Sequence, residues 1–191
     1  MPLPLAHALV GGSIAVAAWP ERTPAGLRRA LVAGALLGVC PDADYLLGRL
    51  HVMGWGWHHA FTHSVAFAVI AGAIVSRALG LRGWRAALAC VLPVLSHPLL
   101  DYLVTESHGV ELWWPVTGRR YKLGIDELSY YHLVGASHGV RTLARLCLAE
   151  AVLFGPILVA TLVVCRRRFR AQNRGESPRA HVTSRPHGGT A

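Results

Sequence analysis

A chain of 191 residues in which 53% are hydrophobic and only 15% charged falls short of the roughly 25% charge that a soluble surface carries. Its mean hydropathy of +0.39 and its long apolar runs argue for one domain resident in a membrane. The net charge of +9 would suit nucleic acid, but every basic residue except Lys122 is arginine. These arginines sit in short clusters between apolar runs and in the C-terminal tail, as topology determinants and contacts for anionic lipid do, so no nucleic-acid partner is expected.

Five apolar segments follow in chain order. Leu5–Trp19 is stopped by Pro20. Ala8–Trp19 could pass for the apolar part of a secretory signal, but no Lys or Arg precedes it, and the reading is a retained first helix. Ala25–Cys40 opens with Arg28 and Arg29 and is stopped by Pro41. Ser64–Leu81, Ala86–Val104 and Leu146–Cys165 are each long enough to meet the ~17–25 residues that a spanning helix needs. The first two are short, and could be tilted, re-entrant or half-buried. Cys40, Cys90, Cys147 and Cys165 lie within or at the ends of these segments without CxxC spacing, and read as small apolar residues. The expected fold is all-α: a polytopic membrane helical bundle over residues 1–165, with a disordered basic tail over residues 166–191.

The arginines give the bundle an orientation. Arg22, Arg28 and Arg29, then Arg77, Arg82 and Arg85, then Arg166, Arg167, Arg168 and Arg170 all fall on one side if there are five spans. The positive-inside rule makes that side cytoplasmic. The expected location is the inner (plasma) membrane, with the C-terminus in the cytoplasm. The other side also carries charge, at Arg49, Arg119, Arg120, Lys122, Arg141 and Arg145.

Against this frame the ionisable residues share a level. His7 lies near the outer start of the first segment, and Asp42 and Asp44 at the outer end of the second. His58, His59 and His63 precede the third, and His97 and Asp101 occupy the outer half of the fourth. His97 and Asp101 are i and i+4, so on a helix they share a face. At 1.5 Å per residue they lie about 17 and about 23 Å into their span. An unpaired carboxylate at that depth costs several kcal/mol and needs a cation or a polar cavity. Each residue alone reads as a hydrogen-bonded core histidine or, for Asp42 and Asp44, as a turn or helix cap. Together they point to a metal site. Histidine nitrogen with carboxylate oxygen suits zinc first, with manganese or iron as alternatives. His51, His132 and His138 read as loop residues; His181 and His187 lie in the tail.

These blocks resemble the YdjM/YbcI-type family of inner-membrane metal-dependent hydrolases. His7-Ala8-Leu9-Val10-Gly11 resembles its His-x-x-x-Gly element, and Pro41-Asp42-Ala43-Asp44 its Pro-Asp-x-Asp. His58 to Ser64 resembles His-Arg-Gly-Phe-Thr-His-Ser. Ser96-His97 with Asp101, Gly109 to Pro115 and Arg119-Arg120-Tyr121 match further elements, so that residues 5–125 are covered. Where the family has Arg, this chain has His59, so either His58 or His59 could be the ligand; motif position favours His58. The spacing from Asp101 to Gly109 varies, which leaves the role of His108 open. A more distant similarity, to zinc-dependent phospholipase C and P1-type nucleases, implies one ion on Asp42 or Asp44, His58 or His63, His97 and Asp101. It also implies a second ion sharing Asp101 with His7. Their third-metal pair, His-x-x-x-Glu, has no counterpart after residue 105.

Three functions follow. The first is a metal-dependent hydrolase at the outer interface, acting on a phosphoester or lipid substrate, in which Asp42 or Asp44, whichever is not committed as a ligand, takes the proton of the attacking water. Arg119, Arg120 and Lys122 beside Trp113 and Trp114 could hold an anionic head group or simply anchor the chain. The second is a metal or proton transporter or relay, against which stand the absence of an internal repeat and the off-centre site. The third is a non-catalytic membrane protein with a structural metal.

Overall fold

Proline and small polar residues set the helix boundaries. In this computed structural model, which describes residues 3–52, 58–104, 109–125 and 139–175, helix α1 spans Pro4–Ala18 and α2 spans Pro24–Val39, each with proline in its first turn, where a missing N–H costs nothing. Thr23 caps α2 by accepting the Gly26 N–H at 3.0 Å. Past a 3-10 turn at Cys40–Asp42 the chain continues into α3, Ala43–Arg49. A second 3-10 turn, Phe61–His63, leads to α4, Val65–Ala78, which Ser64 caps through the Phe67 N–H at 3.0 Å. Helix α5 is Trp84–Val104 and α6 is Val140–Gly175. Among the described residues the only β pairing is an isolated bridge between Val110 and Tyr121.

The all-α membrane bundle expected from the sequence is what forms, with three of its lengths changed. The second segment does not stop at Pro41: helix, 3-10 turn and α3 together make a stretch of 26 residues, Pro24–Arg49, with mean hydropathy 1.5. Proline fits there because it stands in the first turn of a new helical element. The third segment is shorter than its apolar run, because Gly80 at φ +69 ends α4 after 14 residues. Pro24–Arg49, Trp84–Leu103 and Val140–Ala171 are long and apolar enough to cross a membrane, while Pro4–Ala18 and Val65–Ala78 are shorter apolar helices. Helix α6 runs on to Gly175, through the Arg166–Arg170 cluster and past the boundary drawn after Cys165. The rest of the tail, residues 176–191, lies outside the described residues, as do His108, His132, His138, His181 and His187.

Helix α1 packs against α2, α5 and α6, α2 against α5, and α4 against α5. The interior is built of small residues, among them Ala15, Ala30, Ala68, Ala89 and Cys90. Large aliphatic side chains such as Leu36, Ile70, Ile74, Leu153 and Val159 point outward, the arrangement a hydrocarbon solvent permits. The closest approach is α1 on α2. A Cβ on Gly11 would lie 2.5 Å from the Gly34 carbonyl oxygen, and one on Gly38 would run into that of His7. This contact brings the start of α1 beside the end of α2.

Candidate metal centre

Because successive helices run in opposite directions, the start of α1, the end of α2, the start of α4 and the end of α5 meet at one end of the bundle. His7, Asp42, Asp44, His58, His63, His97 and Asp101, the seven residues singled out from the sequence, are all within that end. His7, His63, His97 and Asp101 have no solvent exposure, and Asp44 is buried. The i, i+4 pair on α5 does share a face: His97 Nε2 is 3.3 Å from Asp101 Oδ2.

The backbone and the hydroxyls fix the tautomers. His97 Nδ1 lies 2.7 Å from the Gly38 carbonyl oxygen, which can only accept, so Nδ1 carries the hydrogen and Nε2 presents a lone pair. Thr62 donates its hydroxyl to Asp44 Oδ2 at 2.6 Å. Its oxygen is then the acceptor for His63 Nδ1 at 3.0 Å, and His63 Nε2 is likewise left as a lone pair. These two nitrogens face each other at 3.1 Å. Two lone pairs at that distance repel unless a proton or a metal cation lies between them.

The surrounding oxygens complete a shell. Asp42 Oδ1 is 3.3 Å from His97 Nε2 and 3.7 Å from His63 Nε2, and Asp101 Oδ2 is 3.4 Å from His63 Nε2. With metal–ligand bonds of about 2.0–2.1 Å, the edge of a tetrahedral zinc shell measures roughly 3.3–3.4 Å. Five of the six separations among these four atoms, 3.1–3.7 Å, lie near that edge. His7 stacks on His97 with ring centroids 3.7 Å apart and puts Nε2 3.6 Å from Asp101 Oδ1. Asp42 Oδ1, both Asp101 oxygens and both His7 nitrogens are buried without a hydrogen-bond partner. Buried polar groups are rarely left so, and a divalent cation fits this donor set. Groups that could hold an ion are His63, His97 and Asp101; His7, Asp42 and His97; Asp42, Asp44 and His58; and His58, His59 and His63.

Asp44 differs from Asp42. One of its oxygens accepts from His58 Nδ1 at 2.9 Å and the other from Thr62, bonds that orient His58 and, through Thr62, His63, while Asp44 also stands with Asp42 and His58 in a group that could hold an ion. His58 then keeps Nε2 free on a side chain 19% exposed. His59 is also at the site, buried, at φ +65, with its ring centroid 4.1 Å from that of His58 and its Nε2 unpartnered. Burial and then the neighbouring His63 and His58 push its imidazole down to about 4. Burial also disfavours a charge on His63, but Asp101, Asp42 and Asp44 outweigh it and raise that imidazole to about 10, so that without an ion a proton on His63 Nε2 faces the His97 lone pair. His51 is exposed, away from the cluster.

Three contributors were not read from the sequence. The stretch Gly109–Ile125 pins the histidine turn: the Glu111 N–H donates to His59 O and the Val65 N–H to Leu112 O, both at 2.9 Å, and Arg120 bonds Glu111 at 3.1 Å and His58 O at 3.3 Å. Thr62 joins Asp44 to His63. Glu150 of α6, fully buried, accepts the backbone N–H groups of Leu3 and, at 3.0 Å, Ala6, and so holds the turn that carries His7. A single carboxylate inside an apolar run is costly, and that was the signal available for Glu150.

Among characterised proteins, the chain is similar to the inner membrane protein YbcI of Escherichia coli (strain K12), with 33% identity over 129 residues, 63% of this chain and 72% of that protein. No solved structure matches it. The YdjM inner membrane protein family matches residues 1–172, which contain every residue of the centre described above, and the chain belongs to that family.

Proposed function

We propose that this membrane protein is a metal-dependent hydrolase, with one or two divalent ions, zinc foremost, held by Asp42, His63, His97, Asp101 and His7, and with a phosphoester or lipid as substrate. One observation carries the reading: the His63 and His97 Nε2 lone pairs 3.1 Å apart, ringed by carboxylate oxygens at 3.3–3.7 Å. A bound divalent ion would supply Lewis acidity and lower the pKa of a coordinated water. The chain supplies the rest. His97 is aimed by the Gly38 carbonyl and His63 by Thr62, the outer hydrogen bonds that fix ligand tautomers. Asp44 and His58 form a carboxylate–imidazole pair at the partly exposed edge, in which Nε2 takes up the proton of the nucleophile while Asp44 stabilises the imidazolium. The centre faces the outer interface, with the arginine-rich end and the C-terminus in the cytoplasm.

The complete burial of His63, His97 and Asp101 favours a second reading, a closed shell around a structural ion. The two separate in one set of measurements on protein reconstituted in lipid. Elemental analysis should find one or two ions per wild-type chain and at least tenfold less in Asp101→Asn. For the hydrolase, metal-loaded protein releases phosphate or a head group from phospholipid. His58→Gln keeps its metal but loses turnover by about 10²–10⁴-fold, the usual contribution of a general base. Metal retention without any release over the whole phospholipid panel points to the structural ion. A release rate unchanged when His97 and Asp101 are replaced overturns the hydrolase.

A further inference from the structure

At the opposite end of the bundle, α2 and α6 enclose a groove of about 550 Å³ lined by Pro24, Leu27, Leu31, Leu162 and Phe169, with Arg28, Arg166 and Arg170 at its mouth. We propose that this groove is a binding site for one anionic phospholipid, its phosphate held by the three guanidinium groups and the start of an acyl chain laid along the leucines.

The placement of charge selects the ligand. Arg166 and Arg170 are i and i+4 on α6 and so share a face, and Arg28 stands across from them on α2. All three are exposed, and among the described residues none has a carboxylate within ion-pair distance. The neighbouring arginines are used otherwise. Arg22 turns inward onto the carbonyl oxygens of Val16 and Ala17 at 3.2 and 2.8 Å, and Arg29 meets Glu21 at 3.5 Å. A second groove, of about 710 Å³, lies on the other side of Arg28 and contains Glu21, so that its charge is partly compensated. Of these two grooves, the α2–α6 groove is the one that joins uncompensated positive charge to an apolar floor. Guanidinium pairs bind phosphate oxygens in bidentate fashion, and a soluble anion would leave Leu31, Leu162 and Phe169 uncovered. A phospholipid satisfies both parts, and its head group lies at the level where a spanning helix passes into its basic flank. The site is separate from the histidine centre.

The test uses the full-length protein released in mild detergent from vesicles of phosphatidylcholine with one-fifth phosphatidylglycerol, with retained lipid counted by native mass spectrometry. Wild type should keep phosphatidylglycerol over phosphatidylcholine by at least tenfold. Arg28→Gln/Arg166→Gln/Arg170→Gln should lose that preference. So should Leu162→Trp, which fills the groove and leaves the charges in place. Arg77→Gln/Arg82→Gln/Arg85→Gln, which removes three arginines around the α4–α5 turn, should keep it. The proposal is overturned if wild type shows no preference, if either groove variant retains it, or if the two arginine triples lose it equally, since that is the behaviour of undirected surface charge. Thermal melting of each variant checks that the bundle is intact.

Discussion

At the scale of single residues, Gly38 illustrates how packing and chemistry share one atom. Its missing side chain lets α1 lie on α2, and its carbonyl oxygen accepts from His97 Nδ1 and so turns Nε2 toward the cluster. Alanine there would meet the His7 backbone, which has nowhere to move because α5 and α6 pack against α1 from other sides. Overpacking of this kind costs about 1–3 kcal/mol. Gly38→Ala should therefore lower the melting temperature by several degrees and, by pushing His7 and His97 apart, should reduce bound metal more than Gly80→Ala, where an added Cβ meets nothing but the backbone holds φ +69. Equal metal content in the two variants would show that the α1–α2 contact does not set the centre. The histidines and aspartates themselves were legible because polar residues at one depth of an apolar chain have few bland explanations. Thr62 was not, because a threonine before a histidine has many roles, and only the positions of Asp44 and His63 show that it donates to one and accepts from the other.

At the scale of elements, the readable part was the part governed by local sequence. The apolar runs placed the starts of α1, α2 and α4 within a residue or two, and the i, i+4 spacing gave the shared face on α5. What depended on distant partners was not readable. Pro41 marks a stop in sequence, yet the chain continues helically because the proline stands in the first turn of a new 3-10 element, which carries Asp42 and Asp44 to the histidine cluster. Gly109–Ile125 looks like an interfacial loop, and its backbone hydrogen bonds to the histidine turn need the folded chain to be seen. Glu150 is the clearest case. Its carboxylate holds the first turn of α1, and Glu150→Gln, with a donor where one acceptor was, loses one of these two charged hydrogen bonds and leaves the Ala6 N–H with the Leu3 carbonyl alone. Such losses cost about 1–3 kcal/mol. The expected result is a lower melting temperature and weaker metal retention, since His7 follows within one turn. Loss of stability with metal content unchanged would mean that Glu150 supports the bundle without positioning His7.

At the scale of the molecule, two ends of unlike character are separated by an apolar belt. One gathers the imidazoles and carboxylates, the other the arginines, and α6 joins them with little of its length buried against the bundle: only 6% of its most apolar window is covered, against 50% for Trp84–Leu103. The orientation proposed above follows the positive-inside rule, with the arginine-richer end in the cytoplasm. A fluorescent protein fused after Ala191 should then mature, and a periplasmic phosphatase fused at the same place should stay inactive; the reverse pattern would invert the proposed orientation.

The bond from Glu150 to α1 also gives assembly a sequence in time. Helix α1 leaves the ribosome early and α6 late, so the Leu3 amide, and the second bond of the Ala6 amide beside its local one to the Leu3 carbonyl, wait for the Glu150 carboxylate until more than a hundred further residues have been made. Until then the interrupted bundle holds an open end in lipid, where exposed amides are costly. The last span therefore acts as a closing latch, and a nascent chain that stalls before it offers membrane proteases a partly unlatched first helix.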